Sequence, residues 1–466
     1  MVPFSGRNLV FALLFTALSF ITSRADTFKT LIIFDWINGA TPVDTPLVQG
    51  VDGDLYGTTL GGGANGAGTV FKMTPAGTVT TLYSFCSLAN CADGAEPYGG
   101  IVLAGDGNFY GTTFQGGAAD GISGTVFKIT RSGKLTTLHS FNGTDGARPN
   151  APLIQAANGE LYGITENGGP SNSGTFFKIT TGGALTTLYN FTGALLNAPL
   201  VQGTDGNFYS TSEWGGANGY GMIFKLTPRG SFSILHSFLS TDGSAPAGGL
   251  LRALDGDLYG TTYGGGSNNS CENGCGTVFK ITLAGALTTL HNFDSTDGSN
   301  PIAALIQATD HNFYGTTYGG GTAGGWGTVF KITPAGKVTT LHSFSGTDGA
   351  QPYGPVSQDT SGNLYGTATN GTSTAPDGTA FLVLTGLKPF VSFVRNRGKV
   401  GQTVGILGQG LTDTTSVSFG GVIAAFKIRS DTYLTATVPD GASSGYVTVI
   451  TPTASLKSNV PFQVLP

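Results

Sequence analysis

A tyrosine-centred block occurs seven times in 466 residues, at Tyr56 (DLYGTT), Tyr110 (NFYGTT), Tyr162 (ELYGIT), Tyr209 (NFYSTS), Tyr259 (DLYGTT), Tyr314 (NFYGTT) and Tyr365 (NLYGTA). Each copy is followed by a GTVFK-like block, ending near Lys72, Lys128, Lys178, Lys225, Lys280, Lys331 and, in degenerate form, Leu382. A TTLHSF block or a relative comes next, as at 136–141, 186–191 and 339–344, and an apolar stretch such as APLIQ (151–155) or APLVQ (198–202) precedes each tyrosine. Such a period means that one supersecondary unit recurs and buries its apolar face against its neighbours.

Each period of about 51 residues contains four short β-prone runs. Asp-Gly pairs at 52–53, 106–107, 205–206 and 255–256 are hairpin dipeptides between the first two runs, and Pro-Ala-Gly at 75–77 and 334–336 marks a turn between the last two. Four antiparallel strands per unit, seven times over, predict an all-β fold: a seven-bladed β-propeller. The seventh unit has no TTLHSF run, whereas the N-terminal segment supplies a run of that type at 30–34 with no unit before it. The two ends are therefore expected to complete one blade and close the ring, which removes a free sheet edge. With strands a to d running outward from the axis, the tight a–b and c–d turns fall on one face and the long b–c and d–a loops on the other.

Composition fits this reading. Charged residues are 11%, well below the usual ~25%, while 76 glycines accompany 39% hydrophobic and 11% aromatic residues. That apolar content is too high for a disordered chain, and the turn-rich pattern excludes a coiled coil or helical bundle. Residues 1–25 read as a secretory signal peptide: Arg7, an apolar run over 9–21, and Ser23 and Ala25 placed for cleavage after Ala25. Loss of Arg7 and Arg24 takes the formal charge from −5 to −7, unfavourable for a nucleic-acid partner. No transmembrane segment is expected in the mature chain, which is read as a secreted, extracellular or periplasmic monomer. In that compartment Cys86 and Cys91, and Cys271 and Cys275, are expected to form two local disulfides. Each pair sits in the longest loop of its class, Phe85 to Tyr110 and Tyr259 to Phe279, so two stiffened loops are expected to shape a binding surface.

On these blocks (LYGTT, a Gly-rich loop, GTVFKIT, TTLHSF and TDG-x-x-P) residues 27–385 resemble the bacterial GloVer repeat, the Gloeobacter and Verrucomicrobium type. The resemblance implies an exported or surface-associated β-repeat protein, brings no catalytic residues, and includes C-terminal anchors of which this chain has no recognisable example. Residues 388–466 resemble an IPT/TIG domain, an immunoglobulin-like β-sandwich, through GQTVGILGQGL (401–411), VSFGGVIAAF (417–426) and GYVTVITP (445–452). That family occurs in receptors, extracellular enzymes and some transcription factors. The expected organisation is a signal peptide (1–25), a propeller (26–385) and an Ig-like domain (386–466).

No nucleotide loop, nucleophile elbow or metal-ligand spacing is present, so no catalytic or metal residue and no cofactor is assigned. Repeated TDG aspartates raise a calcium alternative, but each Asp is accounted for by capping its own turn. His139, His236, His291 and His342 share one repeat position with Tyr83 and Tyr189 and read as packing residues. Function is expected where the copies differ. Four residues after each tyrosine stand Leu60, Phe114, Glu166, Glu213, Tyr263, Tyr318 and Thr369, with Trp214 and Trp326 in the same loops. Phe114, Glu166, Glu213, Trp214, Tyr263, Tyr318 and Trp326 are the candidate ligand-binding residues: aromatics beside carboxylates in a concavity suit a glycan or protein ligand. The alternatives are a carbohydrate-active hydrolase or lyase using Glu166 and Glu213, and a structural envelope component.

Overall fold

A computed structural model describes residues 28–42, 46–193, 198–268, 270–370 and 376–466. The expected signal peptide lies outside them. The described residues contain no α-helix, only a single 3-10 turn at Ala89–Cys91. Seven four-stranded antiparallel sheets form the blades. In blade 1 the strands are a, Val48–Gln49; b, Leu55–Thr59; c, Thr69–Met73; and d, Val79–Ser84. Blade 7 has a, b and c from Ser357–Gln358, Leu364–Ala368 and Thr379–Val383, and its fourth strand is Phe28–Ile33 from the other end of the chain.

Strands b and c are almost wholly buried because both faces of each blade are covered by neighbours, which explains LYGTT and TVFKI as near-continuous runs rather than alternating ones. One pair of phenylalanines joins each blade to the next: Phe85–Phe127, Phe141–Phe177, Phe191–Phe224, Phe238–Phe279, Phe293–Phe330 and Phe344–Phe381, with ring centroids 5.2–5.9 Å apart. Phe34 and Phe71 make the same pair at 5.3 Å across the two ends of the chain. Phe28 adds to the closure by stacking on His342 of blade 6 at 3.5 Å. The propeller and its closing strand are as the repeat predicts.

The repeated tyrosine packs between blades, Tyr56 on Phe109 at 4.3 Å and Tyr259 on Phe313 at 4.2 Å. Its hydroxyl donates to the turn aspartate, as Tyr259 does to Asp255 at 2.8 Å, and the lysine of the FK block reaches the same carboxylate, Lys280 at 2.9 Å. Tyr110–Asp106–Lys128, Tyr209–Asp205–Lys225 and Tyr314–Asp310–Lys331 repeat this arrangement. Hydrogen bonds from Asn207, Tyr209 and Lys225 outweigh the effect of burial and hold the Asp205 carboxyl down at about 2. Burial, with Asp255 beside it, pushes the Tyr259 phenol up to about 12. The Asp-Gly pairs therefore form the hairpin and also tie strand b to strand c.

Nearer the axis, the glutamine of the APLIQ block crosses to the preceding blade. Gln155 Oε1 accepts from Gly105 N, Gln202 from Ala157 N, Gln307 from Leu254 N, Gln358 from Thr309 N, and Gln49 from Thr360 N, the last across the chain ends. Blades 2 and 5 depart from the pattern, with Leu103 and Arg252 in this place.

The C-terminal segment forms two four-stranded sheets: Ser392–Phe393, Thr403–Leu407, Tyr433–Thr437 and Phe426–Ser430, facing Val422–Ile423, Ser416–Phe419, Val447–Ile450 and Ser455–Lys457. Ile406, Val417, Leu434, Val447 and Val449 fill the space between them. This Ig-like sandwich rests on the tight-turn face of the propeller. Thr432 Oγ1 donates to Val51 O at 3.0 Å, Gln409 Nε2 to Thr360 Oγ1 at 3.3 Å, and an Arg395 guanidinium nitrogen to Ala157 O at 2.6 Å. The long-loop face stays uncovered by it.

Candidate functional site

In blades 1, 2, 3, 5 and 6 the long loop is held at its base by a pair of buried threonines, whereas blade 4 has Ser212 and Met222 in these places and blade 7 has Ala368 and Thr379. Thr262 at the end of strand b shares a hydrogen bond of 2.9 Å with Thr277 at the start of strand c and donates to Gly264 O at 2.9 Å, fixing where the loop leaves the blade. Gly276 closes that loop at φ +90°, where an added Cβ would meet Thr262 O and, at 2.7 Å, Pro301 Cδ of the next unit. Only glycine suits this approach.

On this base the loops of blades 4 to 6 leave a cleft of about 910 Å³. Glu213, Trp214 and Tyr220 come from one loop, Tyr263, Cys271 and Glu272 from the next, and Asn300, Ile302 and Tyr353 from the segments entering blades 6 and 7. Trp214 is 56% exposed and Tyr263 39%, so their ring faces are available to a ligand. No Lys, Arg or His is among the lining residues. The Cys271–Cys275 disulfide forms part of the wall.

The expected site residues divide. Glu213, Trp214 and Tyr263 meet in the cleft. Tyr318 sits at its edge, edge-on to the lining residue Tyr353 at 6.2 Å. Glu166 is outside the cleft lining, accepting from Asn150 Nδ2 at 3.0 Å. Burial pushes the Glu166 carboxyl up; Glu213 adds to this, and Arg148 and Asn150 oppose it. Phe114 is elsewhere on the rim, between Tyr98 and the Arg148 guanidinium, which is 5.5 Å from its ring centroid. Trp326, 43% exposed, is close to Gly346 of the following loop and outside the cleft lining. Cys86–Cys91 is a disulfide too, but its loop lies by blades 1 and 2, so one stiffened loop, not two, borders the cleft.

A second variable ring was missed. The residue before the proline of TDG-x-x-P adopts a left-handed backbone at Thr41, Glu96, Arg148, Ala245, Asn300 and Gln351, with φ between 50° and 57°. Each carbonyl accepts from the first-ring residue beside it, as Ala245 O does from Tyr263 N at 3.0 Å and Asn300 O from Tyr318 N at 3.1 Å. Non-glycine residues held in this region are uncommon and cluster where function resides. The signal was in the sequence, since in six units this position varies while the Gly two residues before it and the Pro after it do not.

The histidines also do more than pack. His139, His236, His291 and His342 contact Asp145, Asp242, Asp297 and Asp348 of the TDG turns at 2.8, 3.1, 2.8 and 2.9 Å. Tyr83 reaches Asp93 in the same way at 2.7 Å. The other carboxylate oxygen caps the turn, as in Leu239 N to Asp242 at 2.8 Å. These carboxylates are thus engaged by protein donors, and no cluster of three or more His, Cys, Asp or Glu suited to a metal occurs among the described residues.

Among solved structures the chain is similar to virginiamycin B lyase from Staphylococcus aureus, with TM-score 0.52 at 15% identity over 77% of this chain and 99% of that one. A catalytically inactive form of that enzyme with quinupristin gives TM-score 0.51 at 15% identity and the same coverage. At this identity the likeness establishes the propeller fold. No curated protein sequence matches the chain. The Gloeobacter/Verrucomicrobia repeat family matches residues 17–200 and 196–421, and the IPT/TIG domain matches 389–464. With a shared repeat along most of its length, the chain belongs to the Gloeobacter/Verrucomicrobia repeat family and ends in an IPT/TIG domain.

Proposed function

We propose that this is an exported, non-catalytic recognition protein that binds a glycan in the cleft of its long-loop face. The observation that carries the reading is the pairing of exposed Trp214 and Tyr263 rings with Glu213 and Glu272 in an open cleft lacking basic side chains. Aromatic faces cover the apolar face of a sugar ring, and carboxylates accept from its hydroxyls. A neutral or cationic glycan suits this lining, whereas an acidic one is repelled. The two disulfides support export of a mature 26–466 chain, proposed to be a monomer. The Ig-like domain then acts as a support on the opposite face. The test is retention of the mature chain on immobilised polysaccharides. Retention lost in Trp214→Ala and Tyr263→Ala supports the reading; no retention across neutral and cationic glycans overturns it.

One observation favours a second reading. Glu166, its carboxyl pushed up by burial, stands near enough to Glu213 for their charges to interact, and a carboxyl raised in this way beside a second carboxylate can serve as the acid in glycoside cleavage. Release of reducing ends from a retained glycan, abolished in Glu166→Gln, identifies this activity; unchanged glycan after prolonged incubation eliminates it.

A further inference from the structure

Where the propeller meets the Ig-like domain, two arginines line a cavity that has no carboxylate, and a third, Arg252, stands outside its lining but near enough to act on one of them. Arg252 replaces the glutamine that ties neighbouring blades in five of the seven units. Arg395 and Arg397 enter from the Ig-like domain and line an interdomain cavity of about 290 Å³ beside Leu103 and Gln155. Among the described residues neither the Arg252 nor the Arg397 side chain makes a hydrogen bond or ion pair, and the single side-chain hydrogen bond of Arg395 is to Ala157 O. Burial holds the Arg397 guanidinium below its usual range, and Arg252 and Arg395 press in the same direction. Burial does the same to Arg252. Half-buried like charges repel, and their cost is offset when an anion occupies the space between them.

We propose that this cavity binds a small oxyanion, a phosphate or sulfate group, which bridges the propeller and the Ig-like domain. Arginine forks match tetrahedral oxyanions with paired N–H donors, and the cavity is large enough for one such ion with several waters. Two propeller positions depart from what stability alone favours, Leu103 in the cavity lining and Arg252 just outside it. A glutamine at position 252 would restore the link to blade 4, and Leu103 removes the corresponding link beside the cavity. The site is on the face opposite the glycan cleft and does not depend on it.

The test uses the mature chain and inorganic phosphate or sulfate against chloride at equal ionic strength. Differential scanning calorimetry is expected to show phosphate raising the transition by about 3 °C at saturation. Arg252→Gln inserts the residue most other blades carry, so it is expected to fold, to be at least as stable as wild type in chloride, and to lose part of the phosphate response, since it removes a nearby positive charge and no lining residue. Arg397→Gln removes a lining residue and is expected to lose most of the response. Titration calorimetry gives the matching readout, with binding weakened at least tenfold in Arg397→Gln and to a smaller extent in Arg252→Gln. Equal transitions in phosphate and chloride, or an undiminished phosphate response in both variants, overturn the proposal.

Discussion

The two faces of the propeller are built from the same repeat and follow opposite rules. On the tight-turn side the residues recur from blade to blade, so the Tyr–Asp–Lys groups and the crossing glutamines repeat, and the Ig-like domain covers them. On the long-loop side the backbone recurs while the side chains change, so seven equivalent positions carry Leu, Phe, Glu, Glu, Tyr, Tyr and Thr. The scaffold thus occupies one side of each blade, and the other side is left free to vary because its loops are anchored from below, in five of the seven blades by paired threonines. Within blade 5 the contrast is four residues long: Tyr259 is buried against Phe313, and Tyr263 stands in the cleft.

The most severe test removes residues 26–36, and with them the fourth strand of blade 7 and the Phe34–Phe71 contact. The ring then has an open edge between blades 7 and 1, and calorimetry is expected to show no cooperative transition for the propeller. A normal transition would mean that ring closure contributes little. Next in size is the pair in blade 5. Tyr259→Ala is expected to cost about 3–5 kcal/mol in denaturant unfolding, as for other large buried side chains. Tyr263→Ala should stay within about 0.5 kcal/mol while abolishing glycan retention. Equal costs would remove the distinction between the faces.

Smaller again are the disulfides. Each closes a short loop, so the paired Cys→Ser changes are expected to cost at most about 2 kcal/mol. Loss of Cys271–Cys275 should weaken retention, and loss of Cys86–Cys91 should not, because only the former borders the cleft. The smallest effect is in pH dependence. Asp205 is held at about 2 in the folded chain, below its unfolded value near 4, so its contribution is present above about 4 and fades as pH falls toward 2. Glu166 is raised, so its burial destabilises the fold above its folded pKa and this cost is relieved as pH falls through that value. Denaturation curves across pH should therefore flatten at the acid end in Asp205→Asn. In Glu166→Gln they should gain stability at neutral pH. The reverse pattern would show that the two carboxylates had been given the wrong environments.

The number of blades, the strand order, the N-terminal closing strand and the two local disulfides were legible in the chain, because each rests on local spacing repeated many times or on Cys pairs a few residues apart. The packing role of the repeated tyrosine was legible too, since Tyr56, Tyr259 and Tyr314 recur in one setting. Residues from separate loops were harder. Glu213, Trp214 and Tyr263 were found by their variation, but Glu272, Asn300 and Tyr353 join them only because loops some 50 residues apart bend toward one another. The same bending leaves Phe114 and Trp326 outside. The histidines were read as packing alone because their aspartates lie six residues on, beyond a turn whose path the spacing does not reveal.

By itself the sequence determined the repeating unit, the closure of its ring and which side of each blade would vary, since these follow from periodicity and turn chemistry. Only the tertiary structure decided which variable loops converge into a cleft. It also seated the Ig-like domain on the tight-turn face and brought Arg395 and Arg397 near Arg252. These contacts join residues far apart in the chain, and their partners are selected by the shape of the closed ring rather than by any local pattern.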